Sequence, residues 1–202
     1  MKLVVKFGGT SLATVKDIKN VAKTVDKIAK KNKTVVVCSA VDGITDELIQ
    51  ISSLIEKGNK KDANRMLAKI SQKHKQFADH LITNPNISKS LSSKLNSDLS
   101  ELEELVNGLI LLGEVTPRSY DYLISFGEKL SIDLVSFSLQ ELKNKSVPLS
   151  GKEAGIVTDS NFGDSRPLMD TTRIRLSKTI NEHLTKNTIP VVAGFAGADQ
   201  HD

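Results

Sequence analysis

The chain has 202 residues, 39% hydrophobic and 26% charged, with no Trp, one cysteine and a formal net charge of +4. That length supports a sizeable core, in one domain or one domain plus a lobe. A single cysteine, Cys38, excludes a disulfide framework and fits a reducing compartment. The charge is spread among both signs and no aromatic residues interleave with a basic stripe, which disfavours nucleic acid. No apolar segment reaches membrane length, and Lys2 and Lys6 bracket only three apolar residues, so neither a membrane span nor a signal peptide is expected. The expected location is the cytoplasm.

The first stretch, Val4-Val5-Lys6-Phe7-Gly8-Gly9-Thr10-Ser11, reads as a buried strand over Leu3 to Val5 that breaks into two glycines and two hydroxyls. A helix is expected at once afterwards, on Val15, Ile18, Val21, Val25 and Ile28, with Thr14 and Asp17 as a capping pair. Strand, glycine turn and helix together aim backbone N–H groups at an anion, and Lys6 adds a point charge. A tight structural turn with a surface lysine is the competing reading at this stage. The stretch is neither a P-loop nor a dinucleotide fingerprint. Thr34 to Cys38 is a continuous β-branched run, the pattern of a parallel strand covered on both faces. The loop Ser39 to Asp46 that follows it should lie beside the Gly8-Gly9 turn, at the carboxyl edge of the sheet where α/β folds bind ligands. The run Lys30-Lys31-Asn32-Lys33 reads as a solvated helix end.

Residues 47 to about 112 are helical in pattern. Stripes run through Leu48, Ile51 and Ile55, then Leu67, Ile70, His74, Phe77 and Leu81, then Ile87 to Leu112, with breaks at Gly58 and Asn84-Pro85. These stripes read as core packing, and His74 and His80 lack companions at ligand spacing, so no metal site is expected. Thr116-Pro117 opens a further helix carrying Ser125-Phe126-Gly127-Glu128. Gly127 in a helix interior implies that something approaches the helix closely; the competing reading is a helix crossing with Glu128 salt-bridged or exposed. Short strands are expected at Val147 to Leu149, with Pro148 at an edge, and at Gly155 to Thr158. A helix is expected over Thr172 to Lys186. Ile189 to Ala193 should be a buried strand running into Gly194-Phe195-Ala196-Gly197, a second glycine loop.

Four segments in order, Lys6-Phe7-Gly8-Gly9-Thr10-Ser11, Ser39-Ala40 with Gly43-Ile44-Thr45, Ser125-Phe126-Gly127-Glu128 and Gly194-Phe195-Ala196-Gly197, resemble the aspartate kinases of the amino-acid kinase family. The resemblance implies a three-layer αβα sandwich with a mainly parallel sheet, the amino-acid kinase fold in incomplete form, carrying an inserted helical lobe at about 47–140. It implies ATP-dependent phosphorylation of the L-aspartate β-carboxylate to 4-phospho-L-aspartate, the entry to lysine, threonine and methionine synthesis, with MgATP as co-substrate. Carried over by position, Lys6 is catalytic and binds phosphate together with Gly8, Gly9, Thr10, Gly194 and Gly197. Ser39, Thr45 and Glu128 resemble the aspartate-binding residues, Glu128 facing the substrate ammonium. Family members continue into a Gly-Arg-Gly-Gly-Ser-Asp stretch, a nucleotide-binding half and ACT domains, none of which is in the 202 residues. The expectation is an N-terminal portion, inactive alone, with an exposed sheet edge and with homo-oligomerisation left to the full-length protein. Two alternatives stand beside it: another amino-acid kinase, for acetylglutamate or glutamate, and a non-catalytic amino-acid-binding module.

Overall fold

The computed structural model describes residues 1–199. Four strands form one sheet in the order β1-β2-β4-β3, every neighbouring pair parallel: β1 (Lys2–Phe7), β2 (Lys33–Cys38), β3 (Ser146–Leu149) and β4 (Ile189–Ala193). The register sets Phe7 beside Cys38 and Cys38 beside Ala193. The chain therefore leaves β1, β2 and β4 at one edge, into the Gly8, Ser39 and Gly194 loops.

One face of the sheet is covered by α1 (Val15–Ala29) and α5 (Pro117–Glu141). α1 is amphipathic, with Ile18, Val21, Ala22 and Val25 buried, and Thr14 caps it by accepting the Asp17 N–H at 3.2 Å. α2 (Ile44–Glu56), α3 (Lys60–Leu81) and α4 (Pro85–Leu112) pack on one another and on α5. Their Leu and Ile stripes join Val36, Cys38, Val191 and Ala193 in one continuous core. Asn84 and Thr116 cap α4 and α5, each with proline in the first turn, as the sequence signals require. On the other face, α7 (Met169–Thr185) and the four-residue α6 (Gly151–Ala154) cover Val35, Leu149 and Val192. The result is a three-layer αβα sandwich with a parallel sheet, as expected.

Three expectations change. Leu3 to Val5 is not a buried run, because β1 has only β2 as a neighbour among the described residues; α7 meets it through Lys2, whose ammonium donates to Asn181 at 2.8 Å, and Val4 is 70% exposed between Lys2 and Lys6. The helix after the glycine turn does not follow at once, since a 3-10 turn occupies Gly9–Leu12 before α1 starts. Gly155 to Thr158 is not a strand: only isolated bridges join Val157 to Ala198 and Thr158 to Pro167. At Val157 a side chain interrupts the ladder: the Thr172 hydroxyl accepts the Val157 N–H at 3.0 Å and donates to the Val157 carbonyl at 2.9 Å, while Ile156 and Thr158 pair with the Ala198 backbone. Pro148 does lie in an edge strand, with β4 as its one neighbour among the described residues.

Candidate active site

Three loops meet at the carboxyl edge of the sheet. The first is Gly8-Gly9-Thr10, where Gly8 is extended and the Ser11 N–H bonds the Gly8 carbonyl at 3.0 Å. A methyl group on Gly9 would stand 3.2 Å from the Ala40 carbonyl oxygen and 3.6 Å from the Asp42 Cα, so the first loop packs directly on the second. The second loop runs from Ser39, whose N–H bonds the Phe7 carbonyl at 3.1 Å, to Gly43, which enters α2 with φ of +79°. That dihedral favours glycine, which has no Cβ to collide with the carbonyl. The third loop starts at Gly194, where a Cβ would fall 2.5 Å from Val37 Cγ1, so a larger residue there would have to push the Val37 side chain aside.

α5 closes the crevice from the side. Gly127 is buried, and a Cβ on it would stand 2.9 Å from Ala40 Cβ, so the close approach that this glycine permits is to the second loop. One residue on, the half-buried Glu128 carboxylate accepts the Phe195 N–H at 2.8 Å and a second N–H from Gly194. Burial pushes the Glu128 carboxyl above its ordinary value, against the two N–H groups and the Lys6 charge, which lower it. Glu128 is thus half-buried and, among the described residues, makes no ion pair. It ties the third loop to α5 and lies within the electrostatic reach of Lys6. The buried Cys38 thiol below is raised by burial and by the Glu128 charge, which makes it inert at neutral pH.

Two further groups hold the second loop from outside the crevice. The Ser131 hydroxyl, 1% exposed, donates to the Ser39 carbonyl at 2.7 Å and lies 3.0 Å from the Glu128 carbonyl. Lys73 of α3 donates to the Asp42 carbonyl at 2.9 Å. Ser131 repeats the face of Gly127 one turn later, a signal present in the sequence but hidden within an apolar stripe. Lys73 carries no local signal, because its partner is 31 residues away.

Lys6, Gly8, Gly9, Ser39, Glu128 and Gly194 therefore lie together at the carboxyl edge of the sheet. Thr10 lies in the 3-10 turn beside it, and Thr45 is exposed in the first turn of α2. Gly197 is set back: a Cβ there would meet Thr158 Cγ2 at 2.7 Å and Ile156 Cγ2 at 3.0 Å, so its smallness serves the packing of the 156–158 segment. Among the described residues no group of three His, Cys, Asp or Glu side chains is placed to hold a metal ion. No described helix is long and apolar enough to cross a membrane.

What the crevice can do follows from its groups. A flexible ammonium at a strand end, glycine turns with backbone free to approach a ligand, and a carboxylate in a half-apolar wall suit a ligand that carries negative and positive charge at opposite ends. Among the described residues no nucleophile–base pair is built into it.

A model of the amino acid kinase family matches residues 1–202. Aspartokinase 3, chloroplastic, of Arabidopsis thaliana is 31% identical over 199 residues, which span 96% of this chain and 34% of that protein. Aspartokinase of Geobacillus stearothermophilus is 30% identical over 200 residues, 98% of this chain and 34% of that one. The chain thus spans about a third of the length of the curated relatives it matches. Among solved structures, E. coli aspartokinase III in complex with aspartate and ADP superposes with a TM-score of 0.84 at 23% identity, over all of this chain and 42% of that one.

Proposed function

Because the chain belongs to the amino acid kinase family, we propose that it forms the aspartate-binding side of an aspartate kinase, together with part of the phosphate side. The reaction transfers the γ-phosphoryl group of ATP to the L-aspartate β-carboxylate. A carboxylate oxygen forms the new O–P bond, the bond to the β,γ-bridging oxygen breaks, and ADP leaves with its electron pair. The observation that carries the reading is the convergence of Lys6 and Glu128 on one edge, beside the Ser39 loop. Aspartokinase relatives along nearly the whole chain, and a structural relative solved with aspartate and ADP, support it.

The attacking carboxylate is already ionised at neutral pH, so no general base is required. The barrier lies in bringing one anion up to another. Lys6 is assigned to the equatorial oxygens of the phosphoryl group, and the Gly8, Gly9 and Gly194 backbone to close approach, with the Thr10 hydroxyl beside it. Glu128 is assigned to the substrate ammonium, and Ser39 and Thr45 to its carboxylates. Gly197 contributes through the packing of the third loop. Magnesium enters with the ATP phosphates as part of the co-substrate, and no residue is assigned to it.

The domain assignment in this reading is the N-terminal portion of an amino-acid kinase domain, with residues 47–140 as its helical part. A homo-oligomer belongs to the proposal for a full-length protein, as does a cytoplasmic location. The test compares residues 1–202 alone with the same residues joined to the remaining two thirds of an aspartokinase, in an assay coupled to ADP release. Aspartate-dependent turnover by the joined protein, absent with N-acetylglutamate or glutamate, is expected. Turnover with those acceptors and not with aspartate would assign the chain to a different amino-acid kinase.

A further inference from the structure

The Ser39–Asp46 loop makes few bonds of its own. Within and beneath it, the Ser39 N–H bonds Phe7 and the Ile44 N–H bonds Val41. Its carbonyls at Ser39 and Asp42 are instead taken by donors from two different helices. Ser131 approaches from α5, one turn after Glu128, with its side chain enclosed. Lys73 approaches from α3, one turn on from Lys69, whose ammonium pairs with Glu47 of α2 at 2.7 Å. Gly43, with its left-handed φ of +79°, lies between these anchors and Thr45. Both donors are spent on loop carbonyls from the helix side, so their effect on a ligand passes through the loop.

We infer that Ser131 and Lys73 are positioning residues that hold the Ser39–Thr45 loop in its ligand-binding arrangement by pinning the Ser39 and Asp42 carbonyls. The aspartate arm of this inference rests on the function proposed above; the loop arm does not. Without either pin the loop samples open arrangements around Gly43, and ligand affinity falls in proportion to the fraction that remains closed. A bond of this kind, once lost, changes that fraction by about tenfold.

The test is backbone hydrogen exchange on residues 1–202, wild type against Lys73→Met, Lys73→Arg and Ser131→Ala, followed by calorimetric titration with L-aspartate. Lys73→Met and Ser131→Ala are expected to speed exchange at the Ser39, Ile44 and Glu47 amides by about tenfold and to weaken aspartate binding by the same factor. Val35 to Val37 should exchange as in wild type, and Lys73→Arg, which keeps a donor, should restore both readings. Unchanged loop exchange in Lys73→Met, or acceleration spread evenly over sheet and helices, overturns the inference. If Ser131→Ala does not fold, the Lys73 pair decides, since that side chain reaches the solvent side. A wild-type chain that gives no heat with L-aspartate counts against the proposed function, while loop exchange still decides whether the two residues hold the loop.

Discussion

Replacing Gly127 by alanine tests how tightly α5 is coupled to the Ser39 loop. A glycine-to-alanine change inside a helix ordinarily stabilises by about 1 kcal/mol. Here the new methyl would stand 2.9 Å from Ala40 Cβ, 3.5 Å from Leu48 Cδ1 and 3.7 Å from Ile44 Cγ2. The last two are ordinary contacts; the first is shorter than real Cβ contacts allow, and Ala40 has no rotamer with which to retreat. The loop must move by roughly half an ångström or more, at an overpacking cost of about 1–3 kcal/mol. The net effect on stability is therefore small, between about zero and 2 kcal/mol destabilising. The effect on binding should be larger, because Ala40 joins Ser39 to the rest of the loop and ligand geometry tolerates little misplacement. Gly108 supplies the control. It sits in α4, where an added methyl would find nothing within 4 Å among the described residues, so Gly108→Ala should stabilise by about 1 kcal/mol. Urea denaturation and aspartate titration of both variants give the comparison. A Gly127→Ala protein as stabilised as Gly108→Ala, with unaltered aspartate affinity, would refute the coupling.

Other expectations concern charge. Asp133 is 1% exposed in α5, with one carboxylate oxygen unpartnered among the described residues and the other side bonded to Asp98, which Lys94 and Lys129 also reach at 2.7 and 3.2 Å. Burial and the neighbouring carboxylate push the Asp133 carboxyl up to about 8, so folding favours its neutral form. Stability should then fall as pH rises from about 4 to about 8, and Asp133→Asn should flatten that slope in urea melts at pH 5, 7 and 9. His74 behaves in the opposite sense. It is fully buried, its Nδ1–H donates to the Ile70 carbonyl at 2.8 Å, its Nε2 is unpartnered among the described residues, and burial lowers it from 6.5 to about 4. The unfolded chain binds the proton first, so about 3 kcal/mol should be lost between pH 6.5 and 4. His74→Gln should remove that loss. Finally, Lys6→Ala in the protein joined to the rest of an aspartokinase should lower kcat by about 10²-fold or more with little change in KM for ATP. A normal kcat with weakened ATP binding alone would deny Lys6 its role.

Much of the architecture was legible because its signals are local. The β-branched run of β2 sits in the sheet interior, the Leu stripes of α3 and α4 face the core, Thr14 caps α1 as expected, and the break at Asn84-Pro85 and the opening at Thr116-Pro117 fall at helix starts. What failed was non-local. The exposure of Val4 depends on which elements lie beside β1, although the alternation of Lys2, Val4 and Lys6 carried a hint of it. The Gly155 to Thr158 segment has strand-like residues, but Thr172 claims both backbone groups of Val157. α6 escaped notice for its brevity, though Ser150 and Glu153 form a capping box. At the site, glycines and the Glu128 position could be read from the chain. That Glu128 would accept the Gly194 and Phe195 N–H groups could not, since the second of these partners lies 67 residues on. The same holds for the buried Asp98 and Asp133 pair, whose two members sit on different helices.

The backbone bonds to Glu128 also sharpen the decisive measurement, because glutamine keeps an acceptor oxygen for the Phe195 N–H while losing the charge. Calorimetric titration of residues 1–202 with L-aspartate, in wild type and Glu128→Gln, separates a ligand-facing carboxylate from a loop-holding one. One-to-one binding of aspartate by the wild type, weakened about tenfold or more in a Glu128→Gln variant of unchanged stability, is the predicted result. Equal aspartate affinity in the two proteins, or no binding by a folded wild type, would contradict it.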